Sequence, residues 1–203
     1  MAMTDHPVTP ADMKAAREAY QEREPRDVFY RTATVLVGLA LRKVIPITLA
    51  ESLAVLLQTW NKSFYRFHKE FNAAHFEEIT GVIHTYETLL AECRERRIED
   101  LQPEDEERLL PLFAAFEAVL GPVGAAKALH LLAPKFFPIW DTKIAQHYGL
   151  GLSMSGSKKH KYWRFMLITQ GQCLQLRRAH WNGDNSLKAI DEYNYCKYTL
   201  EVL

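Results

Sequence analysis

The sequence predicts an all-α protein. Apolar residues recur at intervals of three and four along most of the chain, β-branched runs are too short for convincing strands, and prolines, glycines and capping side chains interrupt the apolar ladders at helix-like spacings. A length of 203 residues with 48% hydrophobic and 25% charged residues suits one domain with a sizeable core and excludes a disordered, collagen-like or coiled-coil chain. The expectation is a single unit over 1–203, two-lobed, with a helical lobe at 46–120, a turn and carboxylate segment at 121–150, and flanking helices at 1–45 and 151–203 packed on it.

In chain order, Ala11 to Glu24 favours a helix that Pro25 ends, and Asp27 to Val44, apolar on most sides, reads as a buried helix stopped before Pro46. Thr48 caps the next helix, whose ladder runs from Leu49 to Trp60. Phe64, Tyr65, Phe67 and Phe71 form an aromatic segment, and a long amphipathic helix is expected from Ala74 to Arg97. Pro103 with Glu104, Asp105 and Glu106 marks a further helix start, running to about Leu120 with a kink or restart at Pro111. Gly121, Pro122, Val123 and Gly124 break the pattern, which resumes at Ala125, so a helix-hairpin-helix is expected there. Asp141 is placed to cap a short helix, Gly149 to Ser157 reads as a loop, and helices over Lys159 to Arg178 and Ser186 to Val202 close the chain, with Asp184, Asn185 and Ser186 as candidate caps.

Several classes drop out. Apolar stretches such as Thr34 to Leu41 fall well short of the roughly 18 residues a membrane span needs, so no membrane partner is expected. Residues 1–10 show no basic segment followed by an apolar run, which makes the cytoplasm the default location, on the nucleoid if the source is bacterial. Cys93, Cys173 and Cys196 are too widely spaced for a zinc or iron–sulfur site and odd in number for a disulfide framework, so they read as lone buried thiols. With the eight histidines scattered, no metal and no cofactor are expected, and the chain reads as a monomer.

Net charge is zero but unevenly spread. From Gly121 to Gly183 the chain carries Lys127, Lys135, Lys143, Lys158, Lys159, Lys161, Arg164, Arg177 and Arg178 against Asp141 alone. Such a segment is either the footprint of a phosphate-rich partner or a solvated face with acidic partners elsewhere in the chain. Tyr148, Tyr162 and Trp163 interleave with these cations, as base-stacking aromatics or as a core stripe. At the glycine turn, the amides of Gly124, Ala125 and Ala126 at a helix start would suit a phosphate; an ordinary tight connection is the alternative. Asp141, following a bulky apolar run, is either a helix cap or a carboxylate held against apolar walls for acid–base or electrostatic work.

Gly121-Pro122-Val123-Gly124-Ala125-Ala126-Lys127, an apolar helix, and then Asp141-Thr142-Lys143-Ile144-Ala145-Gln146-His147-Tyr148-Gly149-Leu150 resemble the hallmark of the helix-hairpin-helix DNA glycosylase superfamily, in particular 8-oxoguanine glycosylase-like proteins. Pro46 to Asn61 is similar to a family helix whose following loop fills the space of a flipped base, so the resemblance spans Pro46 to Gly149. It implies excision of a damaged or modified base flipped out of double-stranded DNA, with Asp141 as catalytic carboxylate. It further implies that the hairpin residues Gly121, Val123, Gly124, Ala125 and Ala126, with Lys143, Lys158, Lys159 and Lys161, grip the DNA. Gln58 or Asn61 matches the wedge residue, and Trp60, His130 and Trp140 are candidates for the base pocket. The family's nucleophilic lysine has no exact counterpart: Ala126 stands there, and Lys127 is turned by about 100° around the helix, so attack by water is preferred over attack by an amine. Lys143 and Gln146 also replace the family's usual histidine and arginine. The alternative is a non-catalytic or base-modifying protein that keeps the DNA grip.

Overall fold

The computed structural model describes residues 6–153 and 155–203; the reading of residues 1–5 as lacking a leader lies outside them. Among the described residues there are ten α-helices and no strand. Capping side chains set the starts of five of them. Helices α1 (Pro10–Arg23) and α3 (Leu49–Trp60) each open on a reciprocal box, Thr9 with Asp12 and Thr48 with Glu51, in which hydroxyl and carboxylate satisfy two otherwise unpaired backbone N–H groups. Helix α2 (Asp27–Leu41) ends earlier than Val44, because Lys43 turns left-handed at φ 55° and the Val44 N–H returns to the Leu39 carbonyl. It is also less buried than its composition suggests: only Tyr30, Ala33 and Val37 are buried, while Val28 and Val35 face solvent.

The short α4 (Lys62–Phe67) follows α3 directly. The single helix expected from Ala74 to Arg97 is two, α5 (Ala73–Thr85) and α6 (Glu87–Glu95), separated at Tyr86, whose ψ of 18° breaks the helical path. Each half then buries its own side chains, Ile79 and Ile83 in α5, Leu90 and Cys93 in α6. Pro103 opens a 3₁₀ turn, Pro103–Asp105, and α7 (Glu106–Leu132) runs on from it. Pro111 neither ends nor restarts α7; it is exposed, as is Glu107, so the carbonyl deprived of a partner faces water.

What interrupts α7 is Gly121 alone, at φ 69° and ψ 168°. The helix restarts at Pro122, whose fixed φ suits a first helical position, and not at Ala125 as expected from the glycine pair. Around this break the backbone is tied on both sides: Asn61 Nδ2 donates to the Leu120 carbonyl (3.1 Å) and Trp140 Nε1 to the Pro122 carbonyl (3.0 Å). Gly124 is needed for a different reason, since a Cβ there would lie 2.5 Å from Asn61 Nδ2.

Helix α8 (Thr142–His147) is capped by Asp141, α9 (Lys159–Arg178) has the expected limits, and α10 (Ser186–Asn194) is capped by Asn185. Beyond α10 the chain does not continue as an α-helix to Val202 but widens into a π-helical turn, Tyr195–Thr199. One core cluster draws buried residues from every helix except α4. The stretch Pro103–Leu132 is long and apolar enough to cross a bilayer, and here its buried residues, among them Leu112, Phe113, Phe116, Leu120, Leu129 and Leu132, belong to that core. The first described helix, α1, packs against α10 and the π turn.

Gly121→Ala should cost about 1–3 kcal/mol, because a side chain at this φ and ψ is strained and its Cβ would lie 3.0 Å from Phe64. Gly81→Ala, where nothing lies within 4 Å, should instead gain about 0.5–1 kcal/mol as an ordinary helix substitution. Urea denaturation of the two variants checks both signs.

Candidate functional site

A cavity of about 590 Å³ opens beside the α7 break, within the roughly 300–1,000 Å³ typical of small-molecule sites. Its floor is the Gly121–Val123 turn, with Lys127 one helical turn further along α7. Trp60 and Phe64 supply aromatic surface, Lys62 and His68 stand at α4, and Asp141 and Thr142 come from the start of α8. The remaining wall joins the two chain ends: Tyr20, Glu24 and Arg26 meet Asp191 and Tyr195.

Lys127 is the unusual group. Only 6% of it is exposed, and its Nζ donates to the Trp60 carbonyl. A carbonyl is a neutral partner, so the buried charge is not compensated at contact. Burial pulls the ammonium down to about 8, although the Asp141 and Asp191 carboxylates pull the other way. Roughly a tenth of such a group is a neutral amine at pH 7.

Asp141 serves as cap and as cavity wall at once. Its Oδ1 accepts the Ile144 N–H (2.8 Å), which fixes the start of α8, and its Oδ2 accepts the Thr199 hydroxyl (2.8 Å). The two sequence readings of this residue are therefore compatible.

On the terminal wall, Arg26 grips the Glu24 carboxylate through Nε (2.8 Å) and Nη2 (2.6 Å), and the Tyr195 hydroxyl donates to the same carboxylate (2.7 Å). Burial acts to raise the Glu24 carboxyl, yet these bonds prevail and hold it below its ordinary value. Asp191 is tied to Lys188 (3.0 Å), whose Nζ sits over the Tyr20 and Tyr30 rings at 4.3 and 4.7 Å. Among the described residues no three His, Cys, Asp or Glu side chains gather as they would around a metal ion.

Compared with known proteins, the chain matches no family model, no curated protein and no solved structure.

Of the residues singled out from sequence, Lys127, Asp141, Trp60, Gly121 and Val123 line the cavity. Asn61 also borders it, but as a buried clasp on the Leu120 carbonyl, which leaves it no freedom to act as a wedge. Gln58 is exposed on α3 away from the cavity. His130 belongs to the core: it is fully buried, its Nδ1 donates to the Phe137 carbonyl (2.7 Å), and Nε2 therefore accepts the Tyr30 hydroxyl (2.9 Å). Burial brings it down to about 4, so it is neutral there. Trp140 is fully buried and holds the α7 break through Pro122 in place of facing a base.

Gly124, Ala125 and Ala126 are buried, so their amides do not face outward to a phosphate. The basic segment is dispersed in a similar way. Lys143 donates to the Thr199 carbonyl (3.1 Å), Lys158 to the Gly156 carbonyl and Lys161 to the Gly151 carbonyl, while Lys159 stands in the first turn of α9. None of the four lines the cavity, whose cations are Arg26, Lys62 and Lys127. Tyr148, Tyr162 and Trp163 are core residues. Free, buried cysteines are found as expected, with burial pushing the Cys93 thiol up to about 12.

A lysine whose ammonium is destabilised by folding binds its proton less tightly in the native than in the unfolded chain. Native protein has then released that proton between about pH 8 and the ordinary lysine value of 10.5, while the unfolded chain still holds it. Stability should rise with pH over this window. The rise should be smaller in Lys127→Met, as measured by urea unfolding at pH 7.5 and 9.5; parallel curves for the two proteins would contradict the burial of a titrating amine.

Proposed function

We propose that the chain excises a damaged or modified base from double-stranded DNA, the nucleotide being turned out of the helix into the cavity at the α7 break. One observation carries the reading: the Asp141 carboxylate, which the sequence resemblance picks out as the reacting acid, lines one cavity with the Lys127 amine, one residue past the position of the family's nucleophilic lysine. Trp60 and Phe64 offer apolar faces to a base, and Lys62 offers a cation to a flanking phosphate.

The burial of Lys127 favours attack by the amine over attack by water. The neutral Nζ lone pair forms a bond to C1′ of the sugar as the bond from C1′ to the base breaks. That electron pair departs with the base, which takes up a proton, and Nζ gives up one of its own. The Asp141 carboxylate stabilises the positive charge that develops on the sugar as the base leaves. Opening of the C1′–O4′ bond then yields an imine between sugar and lysine, which water hydrolyses to return the amine.

The test is single-turnover incision of labelled duplexes, each holding one candidate base: 8-oxoguanine, uracil, hypoxanthine, an alkylated purine or an oxidised pyrimidine. One duplex should be cut once alkali is added to break the strand at the baseless sugar, and both Lys127→Met and Asp141→Asn should slow that reaction by about 100-fold or more. A full rate in Lys127→Met would return the reaction to water. Absence of any cutting, with salt-sensitive DNA binding retained, would contradict excision of these bases.

A further inference from the structure

We propose that Thr199, delivered by the C-terminal π-helical turn, is a positioning residue that fixes the orientation of the Asp141 carboxylate; the inference rests on the excision reading. A carboxylate used to stabilise developing charge must present a defined oxygen to the cavity, and one bond does not define it. The cap bond from the Ile144 N–H holds Oδ1 but leaves the other oxygen to choose its own direction. The Thr199 hydroxyl donates to that second oxygen at 2.8 Å, across 58 positions of sequence.

The segment bearing Thr199 is itself fastened. Lys143, on the helix that Asp141 caps, donates to the Thr199 carbonyl (3.1 Å) and lies 3.5 Å from the Glu201 carboxylate. Within the turn, the Leu200 N–H closes on the Tyr195 carbonyl (2.9 Å) and the Val202 N–H on Cys196 (3.0 Å), so backbone bonds hold the segment where a frayed helix end would be loose. Tyr195 at the start of the same turn forms cavity wall and donates to Glu24, which Arg26 grips. One wide turn thus supplies part of the wall and the second partner of the acid. Lys143, assigned to a DNA phosphate from sequence, instead secures this arrangement.

Thr199→Val keeps the shape of the side chain and removes the donor; Thr199→Ser keeps the donor. On the duplex that the protein cuts, Thr199→Val should lower the single-turnover rate at saturating enzyme by about tenfold or more, with DNA affinity unchanged. Thr199→Ser should restore most of the rate. In the Asp141→Asn background, Thr199→Val should add no further loss, because the two groups act as a unit. An unchanged rate in Thr199→Val, or an equal loss in both backgrounds, would overturn the proposal.

A crystal structure of Thr199→Val needs no substrate and separates this inference from the reading it rests on. The Asp141 carboxylate should be rotated or split between orientations in the variant. A single, unaltered orientation overturns the positioning role whatever the kinetics show, whereas a wild-type protein that cuts nothing overturns the excision reading alone.

Discussion

The break in α7 at Gly121 is the constraint on which the arrangement of the site depends. A continuous helix from Glu106 to Leu132 would pass the cavity as a smooth cylinder; one residue outside helical geometry lets its second half leave along a new path. Three other elements hold that path: Asn61 at the end of α3, Phe64 in α4 and Trp140 before α8 each bear on the break. Because those elements are cavity walls, or directly precede one, the turn and the cavity are specified together. The break also fixes where Lys127 begins, and so where its amine ends.

Electrostatics follow from this packing. Acids and bases lining the cavity are mostly neutralised locally: Glu24 by Arg26, Asp191 by Lys188. Among the described residues no counter-ion contacts Lys127, which keeps a carbonyl for a partner, the arrangement that leaves an amine free to lose its proton. Asp141 differs again, since a backbone N–H and a hydroxyl hold both its oxygens without neutralising them. A destabilised ammonium and a firmly held carboxylate on one cavity are suited to complementary chemical roles.

Some helix starts were legible because capping is local: Thr48, Asp141 and Asn185 each satisfy N–H groups within three residues. Helix ends were less so. The unwinding at Lys43, the break at Tyr86 and the π turn after Asn194 have no comparable sequence mark. Within the cavity, Asp141 could be read from resemblance, and Lys127 as the lysine beside the family's position, since one continuous segment carries both. The Tyr20 to Arg26 and Asp191 to Thr199 walls could not, because they exist only where the two chain ends pack together. Asn61, His130 and Trp140 show the opposite error: a polar or aromatic residue beside a glycine turn signals a pocket or a buried clasp equally well, and here each is a clasp. Basic density in sequence also does not translate into cations on the cavity, since Lys158 and Lys161 spend their ammonium groups on the nearby loop carbonyls of Gly156 and Gly151.

The central claim is that the Lys127 amine meets the sugar of a nucleotide held in this cavity. Reduction with borohydride during turnover of the duplex that the protein cuts, followed by peptide mass mapping, tests it most directly, since reduction makes an imine permanent. The account predicts one covalent DNA adduct, on Lys127, absent when borohydride is added to protein with undamaged duplex. An adduct on another amine, or full turnover with no adduct at all, would contradict it.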